Sequence, residues 1–447
     1  MRVLLVTYYF PPAGGGGVQR VLGWCRHLPA LDIDVTVAAP QEPQWVDVDT
    51  TLVVPASTAV IRTPDPSPSA VIPRDALARV GGLRRLLRRI ALQPRRLAVP
   101  DIHRRWRGPA VHTILAEAQR LRDAGEPGWD VVVSSSPPET THLVAHDVAQ
   151  ALGIPWIADL RDSWLDLPHL RLDRVDVRLK HRANVRLATR VLRRAALATT
   201  VSQPLARDLR ARHPELDVHV IENGVECDEV DRLRPRAAGF RDSGRFVIAY
   251  TGNFFGRQRA TEFLEALERV SREEPGFARD ALVRFVGGLK PADRVRALEL
   301  GADGMVEHIP FLRHDDVLAQ QAAADLLLLY VASGRGSDGV YTGKVFEYVA
   351  ARRPVLALAP SENVARHLLH DAGSTDPARG GAEVDPDDVA AIVAALRATW
   401  QSWRDAGGPE GAQVPDIDVP DAILERIDRR TGAATLARLA ATVTAAP

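Results

Sequence analysis

The strongest constraint on this chain is a pattern that it uses twice. A short apolar run empties into a glycine-bearing loop, and a segment with helical periodicity follows. In the first instance Val3–Thr7 reads as a strand buried on both faces. YYFPPAGGGG (Tyr8–Gly17) is the loop, Val18–Leu31 the helix with Val21, Leu22, Cys25 and Leu28 on one face, and Asp34–Pro40 the next strand. RFVIAYTGN (Arg245–Asn253) restarts the pattern, with a helix at Thr261–Arg269. In the first half, Trp129–Thr140 is expected as a strand ending in turn residues, Ile154–Asp162 as a strand and its exit, Ala196–Leu209 as a strand feeding a helix, and Val218–Val225 as another strand. The second half offers Ala281–Gly288, Met305–Leu312, Ala324–Ala332 and Arg353–Pro360. Strands separated by helices in this order specify an α/β protein made of two doubly wound, Rossmann-like halves.

At 447 residues the chain has room for both. The expected division is 1–225 for the first domain, a polar linker at 226–244, 245–415 for the second domain, and a C-terminal helical segment at 416–447 that packs back on the first. Ligands of such sheets bind at the carboxyl ends of the strands, so a cleft between the two halves is the expected site.

Composition excludes several classes. The formal net charge is zero, so no global field recruits nucleic acid. The two cysteines, Cys25 and Cys227, match no metal-ligand spacing, and no metal is expected. There is no apolar run of about 20 residues, and Arg2 leads straight into the first strand, so a cytoplasmic protein without signal peptide is expected. Charge is uneven, however: between Arg84 and Arg107 stand nine arginines and one acid, Asp101. With Leu83, Leu86, Leu87 and Ile90 among them, this stretch suits either peripheral contact with an anionic membrane or a plain solvated helix. Nucleic acid is disfavoured, because no aromatic residue interleaves the charges of Arg84–Arg96.

The polar residues collect at strand exits. Gly14, Gly15, Gly16 and Gly17 open a helix and can offer backbone N–H groups to an anion. They match neither a nicotinamide fingerprint, since position 19 is Gln19, nor a P-loop. Arg257 and Arg259 follow Gly252 and Asn253, while Lys344 opens a helix three residues before Glu347. A lysine is poorly placed there for the helix alone, and a bound diphosphate would reverse that penalty. Glu347 can accept from a ribose diol or form only a helix ion pair. Asp159, Arg161 and Asp162 leave another strand, and a carboxylate there can orient an acceptor hydroxyl or take its proton. His142 and His146 read as packing or surface residues, Ser202 as a helix cap, and no Gly-x-Ser-x-Gly elbow exists.

Taken in order, YYFPPAGGGGVQR, VVVSSSPPETTHLVA, GIPWIADLRDSW, TVSQPLARDL, VIENGVE, YTGNFFGRQRATEFLEAL and YTGKVFEYVAARRPVLALAP resemble family 4 retaining glycosyltransferases of the GT-B fold. The narrower resemblance is to bacterial enzymes of polysaccharide or O-antigen synthesis. It implies a nucleotide-diphosphate sugar as donor, UDP- or GDP-linked, no bound cofactor or metal, and transfer of a hexosyl or N-acetylhexosaminyl group with retained configuration. The acceptor would be a glycan, a lipid-linked sugar or a small metabolite. Gly14–Gly17 would shape the donor site, Arg257 or Arg259 with Lys344 would hold the diphosphate, Glu347 the ribose, and Asn223 would lie at the domain junction. The family's other glutamate falls at Gly339 here, with Asp338 adjacent as a stand-in. Asn253 stands where many members have arginine, and Arg161, between Asp159 and Asp162, where many have a histidine.

Two alternatives remain at this level. A nucleotide-sugar epimerase or hydrolase of the same fold would use the Asp159/Asp162 carboxylates. A catalytically silent nucleotide-sugar-binding protein would fit the glycine at position 339.

Overall fold

The structure is a computed structural model that describes residues 1–41, 48–67, 98–165, 174–242, 244–254, 258–301, 304–310, 312–334, 336–410 and 415–445. Thirteen strands are described, in two all-parallel sheets. The first contains β1 (Arg2–Thr7), β2 (Asp34–Pro40), β3 (Ala59–Thr63), β4 (Val131–Ser136), β5 (Trp156–Leu160), β6 (Leu197–Thr200) and β7 (Val218–Val220). Its order is β3-β2-β1-β4-β5-β6-β7. The second contains β8 (Phe246–Thr251), β9 (Ala281–Val286), β10 (Val306–Ile309), β11 (Leu326–Tyr330), β12 (Val355–Leu358) and β13 (Ala382–Val384), in the order β10-β9-β8-β11-β12-β13. Both are the doubly wound arrangement expected from the sequence.

The side-chain period of two builds a core on each face. On β1, Leu4 and Val6 enter one apolar cluster with Trp106 and Trp156, while Val3 and Leu5 enter another with Val21 and Trp24. On β8, Phe246, Ile248 and Tyr250 join the cluster of Phe263 and Phe285, and Val247 and Ala249 join that of Phe346 and Tyr348. Each Val, Leu, Ile or Phe among them stabilises its unit by about 1.5–3 kcal/mol when fully buried.

The chain divides into two compact units, Met1–Glu222 with Arg429–Pro447, and Asn223–Asp428. This differs from the expected linker at 226–244. That stretch holds the helix Cys227–Leu233 and the 3-10 turn Arg234–Gly239. It reads as polar because its apolar residues are few, yet Val230 and Leu233 enter the core of the second unit. The segment 416–447 is two helices rather than one. Asp421–Ile427 belongs to the second unit, and Arg429–Ala445 packs on the first through Ala433, Leu436 and Ala440. Close approach of that helix requires Gly23, where a Cβ would lie 2.8 Å from Cδ of Arg429.

Local reading also passed over β3, which lies in a stretch rich in turn residues, and the helices Pro291–Gly301 and His314–Ala323. Of the arginine-rich stretch, residues 84–97 lie outside the described residues. Among the described residues, no helix is long and apolar enough to cross a membrane.

Candidate active site

In each sheet the strand order reverses at one point, between β1 and β4 in the first and between β8 and β11 in the second. Loops leave the carboxyl ends of those strands in opposite directions, which opens a crevice. The candidate residues are best taken sheet by sheet.

In the first unit, the loop after β1 contains Gly14–Gly17. Gly15 has φ +90°, a region that favours glycine, and a Cβ at Gly15 or Gly16 would meet nothing within 4 Å. The helix Gly16–His27 begins there with no side-chain cap and no acid in its first turn, so its leading N–H groups are open to an anion.

Arg161 joins the two loops that border the reversal. Its guanidinium donates to the Gly17 carbonyl at 2.5 Å from one loop and to the Ser136 carbonyl at 2.6 Å from the other. Those bonds tie the two loops to Arg161 and leave further N–H groups of its guanidinium available. Asp159 is a correction. It is fully buried, and its two oxygens accept from Arg20 Nε (3.0 Å) and Nη2 (2.7 Å), Ser135 Oγ (2.7 Å) and Thr199 Oγ1 (2.7 Å). Burial works against its charge, but Arg20 and the hydroxyls outweigh it and hold the carboxyl below the usual range. With every lone pair engaged, Asp159 is no proton acceptor for a substrate. Arg20 also donates to the Glu222 carbonyl at 2.9 Å, so the pair ties β5 to the end of the first unit's sheet.

Asp162, in contrast, is exposed and has no hydrogen-bond or ion-pair partner among the described residues. Surrounding protein pushes its carboxyl upward while Arg161 pulls it down. The run Ser134-Ser135-Ser136 serves four partners. Ser134 bonds His142 Nδ1 and accepts from Trp156 Nε1, both at 2.8 Å, Ser135 holds Asp159, and Ser136 meets Arg161. His142 is a packing residue, as expected: it is buried, stacks on Trp164, and burial drives its imidazole down to about 4.

In the second unit, glycines make the crevice. Gly252 and Gly287 have φ +113° and +114°, and a Cβ on Gly287 would lie 2.4 Å from the Gly252 carbonyl oxygen. Asn253 Oδ1 accepts from the Gly288 N–H at 2.5 Å and so fastens the β8 loop to the β9 loop. Lys344 arrives from the far side of the reversal. Its Nζ donates to Tyr250 Oη at 2.6 Å, and its stem lies over Gly252. Burial lowers its ammonium to about 8, with Glu347 acting in the opposite sense. Lys344 is the second residue of the helix Gly343–Ala351, whose N-cap Thr342 gives no side-chain cap and whose first turn carries no acid. The hydroxyl of that N-cap, Thr342, is buried without a partner among the described residues, as is the hydroxyl of Ser333 after β11.

Glu347 Oε2 accepts from Gln321 Nε2 at 2.8 Å, and the same amide donates to Thr251 Oγ1. Asp338 is exposed, on a loop pinned by Asn363, whose Nδ2 donates to the carbonyls of Ser337 (2.5 Å) and Val340 (3.2 Å). Arg259 differs from expectation: it is exposed and paired with Glu262 one helical turn away, which raises its pKa. Arg257 lies outside the described residues. Asn223 begins the second unit, half-buried beside Gly224, which has φ +70°. The second unit thus assembles Gly252, Asn253, Lys344 and Glu347, and the charge of Arg259 is met by Glu262.

Arg20 and Asn363 were not legible as site residues. Arg20 lies in the quoted glycine-loop motif, which is the one local hint. Among the described residues, no group of three or more His, Cys, Asp or Glu side chains is arranged to hold a metal ion.

Residues 15–224 match the Glycosyl transferase 4-like domain. No curated protein matches the sequence. The fold is shared with a UDP-forming α,α-trehalose-phosphate synthase from Burkholderia vietnamiensis, at TM-score 0.60, 14% identity and 100% of both chains. A sucrose-phosphate synthase from Thermosynechococcus elongatus gives TM-score 0.59 at 15% identity, also over 100% of both chains. WaaG, a glycosyltransferase involved in lipopolysaccharide biosynthesis, gives 0.55 at 15% identity over the same shares. The two parallel-sheet units are those of the GT-B architecture.

Proposed function

We propose that this chain is a glycosyltransferase that moves a sugar from a nucleoside-diphosphate sugar to a hydroxyl of a glycan, lipid-linked sugar or small metabolite, with retention of configuration. The observation that carries this reading is Lys344. A lysine held over a glycine, at a helix N-terminus whose N-cap hydroxyl, Thr342, is buried and makes no cap, is a cradle for a diphosphate. No ion pair occupies its ammonium among the described residues.

In this reading the second unit binds the donor. Lys344 and the N–H groups of Gly343–Ala351 neutralise the diphosphate, and Glu347 accepts from the ribose diol through the oxygen that Gln321 leaves open. Asp338 would stand near the sugar, on the loop that Asn363 holds. In the first unit, Gly14–Gly17 lead into an uncapped helix end of their own, which suits an anionic part of the donor. The bond from the anomeric carbon to the phosphate oxygen breaks, and the bond to the acceptor oxygen forms on the same face. The acceptor proton passes to the departing phosphate oxygen. The protein supplies orientation and charge stabilisation, for which no side-chain nucleophile is needed. We place the activity in the cytoplasm, with UDP or GDP as leaving group.

The test is a panel of UDP- and GDP-sugars incubated with and without acceptor sugars. Acceptor-dependent release of nucleoside diphosphate is expected in the wild type. Lys344→Ala should lower kcat/KM for the donor by about 100-fold or more while the fold persists. A new sugar isomer in place of transfer, or an unimpaired Lys344→Ala, overturns the reading.

A further inference from the structure

The helix Val175–Leu192 carries the chain from β5 back to β6, and its two sides differ. Ala188, Val191 and Leu192 are buried, and Val185 and Leu187 pack beside them on the core that holds Trp156 and Ala198. On the other side stand Arg178, Arg182, Arg186 and Arg190, all exposed. At about 100° per residue, a spacing of four keeps them in one row, roughly 18 Å from first to last. Val175 and Leu179 project from the same side, 61% and 60% exposed. The six residues fall within an arc of about 120°, turned away from the core.

Several other helices match an exposed arginine with an acid one turn away. Arg120 meets Glu117, Arg212 meets Asp208, Arg259 meets Glu262, Arg269 meets Glu273 and Arg272 meets Glu268. Such pairs are ordinary solvated surface. The row on Val175–Leu192 has no such match: none of its four guanidinium groups has a hydrogen-bond or ion-pair partner among the described residues. The one acid of that helix, Asp176, is taken by Arg174 at 2.7 Å. Four cations held about 6 Å apart repel one another, and two aliphatic side chains beside them stay in water. One kind of surface relieves both costs: an anionic one with an apolar interior within a side chain's reach. A soluble polyanion would satisfy the arginines and leave Val175 and Leu179 wet.

The topology gives this face a direction. A chain that leaves β5 at its carboxyl end and enters the parallel β6 at its amino end runs back across the sheet. Val175 and Leu179, at the start of the helix, therefore stand toward the carboxyl edge of the first sheet. Asp162 and the glycine loop leave strands at that same edge.

We propose that the arginine face of Val175–Leu192 docks on a bilayer rich in anionic lipid, with Val175 and Leu179 entering the headgroup boundary. Docking brings the carboxyl edge of the first sheet toward the lipid. Among the acceptors named above it selects the lipid-linked sugar; that choice rests on the transferase reading, and the docking does not.

The test is flotation of the full chain with vesicles of phosphatidylcholine, alone or with about one third phosphatidylglycerol. UDP binding is measured separately, so failure of the transferase reading shows there and failure of docking shows in flotation. The wild type should bind the anionic vesicles about 100-fold more tightly at low salt and be released as salt rises. Arg178→Gln, Arg182→Gln, Arg186→Gln and Arg190→Gln combined should weaken that binding by about 100-fold or more, with UDP affinity and the thermal transition unchanged. Val175→Ser with Leu179→Ser should weaken it by about tenfold and keep the preference for phosphatidylglycerol. Equal binding to both vesicles, binding that survives the four glutamines, no loss in the serine pair, or tighter binding to dextran sulfate than to the anionic vesicles overturns the proposal.

Discussion

Gly252 and Lys344 share one volume. A Cβ built on Gly252 would lie 2.5 Å from Cε of Lys344 and 3.2 Å from its Nζ. The glycine therefore does two things: it adopts φ +113°, and it leaves the floor on which the lysine rests. Gly252→Ala should cost about 1–3 kcal/mol of stability through backbone strain. It should weaken donor binding further, because the lysine is expelled. Chemical denaturation and donor titration on the same variant separate the two losses.

Lys344 also sets a pH dependence. Its ammonium is depressed to about 8 by burial, and a diphosphate needs the charged form. Below that value the free protein already carries the proton. Above it, binding must take up a proton, so donor affinity should fall by about tenfold per pH unit until the lysine's bound-state pKa is reached. Calorimetry above pH 8 in buffers of different ionisation heat should show proton uptake, which Lys344→Met abolishes.

The Arg20–Asp159 pair is 4% and 0% exposed, so breaking it strands a charge. Asp159→Asn should cost about 3–5 kcal/mol, whereas the double change Arg20→Met with Asp159→Leu should recover much of that loss. The sign with pH follows from the depressed carboxyl. Its contribution is complete above the unfolded pKa of about 3.9 and is lost as pH falls through the lower folded value. Acid unfolding of the wild type should therefore begin at a higher pH than that of the double variant. The reverse order would contradict this assignment.

Asn363 does two jobs from a fully buried position. Its Oδ1 caps the helix Val364–Asp371, and its Nδ2 holds the loop at Ser337 and Val340. Asn363→Asp keeps the cap and loses the loop donor, while Asn363→Ala loses both. The alanine variant should cost about 1 kcal/mol more for the missing cap, and both should raise the donor KM. Thermal melts and donor kinetics on the pair distinguish cap from loop.

Local pattern determined most of the architecture. Val3–Thr7 and Phe246–Thr251 are apolar throughout because helices cover both faces of a parallel strand, and that requirement is written into each strand alone. That Lys344 and Glu347 lie close together was legible because their spacing on one helix is local too. The roles of Asp159 and Arg161 were not. Asp159 looks like a free acid until Arg20, 139 residues away, closes on it, and nothing local shows that Arg161 ties to Gly17, 144 residues away. The linker at 226–244 failed for the same reason, since two buried residues, Val230 and Leu233, outweigh its polar majority once the core of the second unit is assembled. Periodicity records which face of an element leaves water. Which charge meets which partner depends on contacts between distant segments, and only the closed tertiary structure decides them.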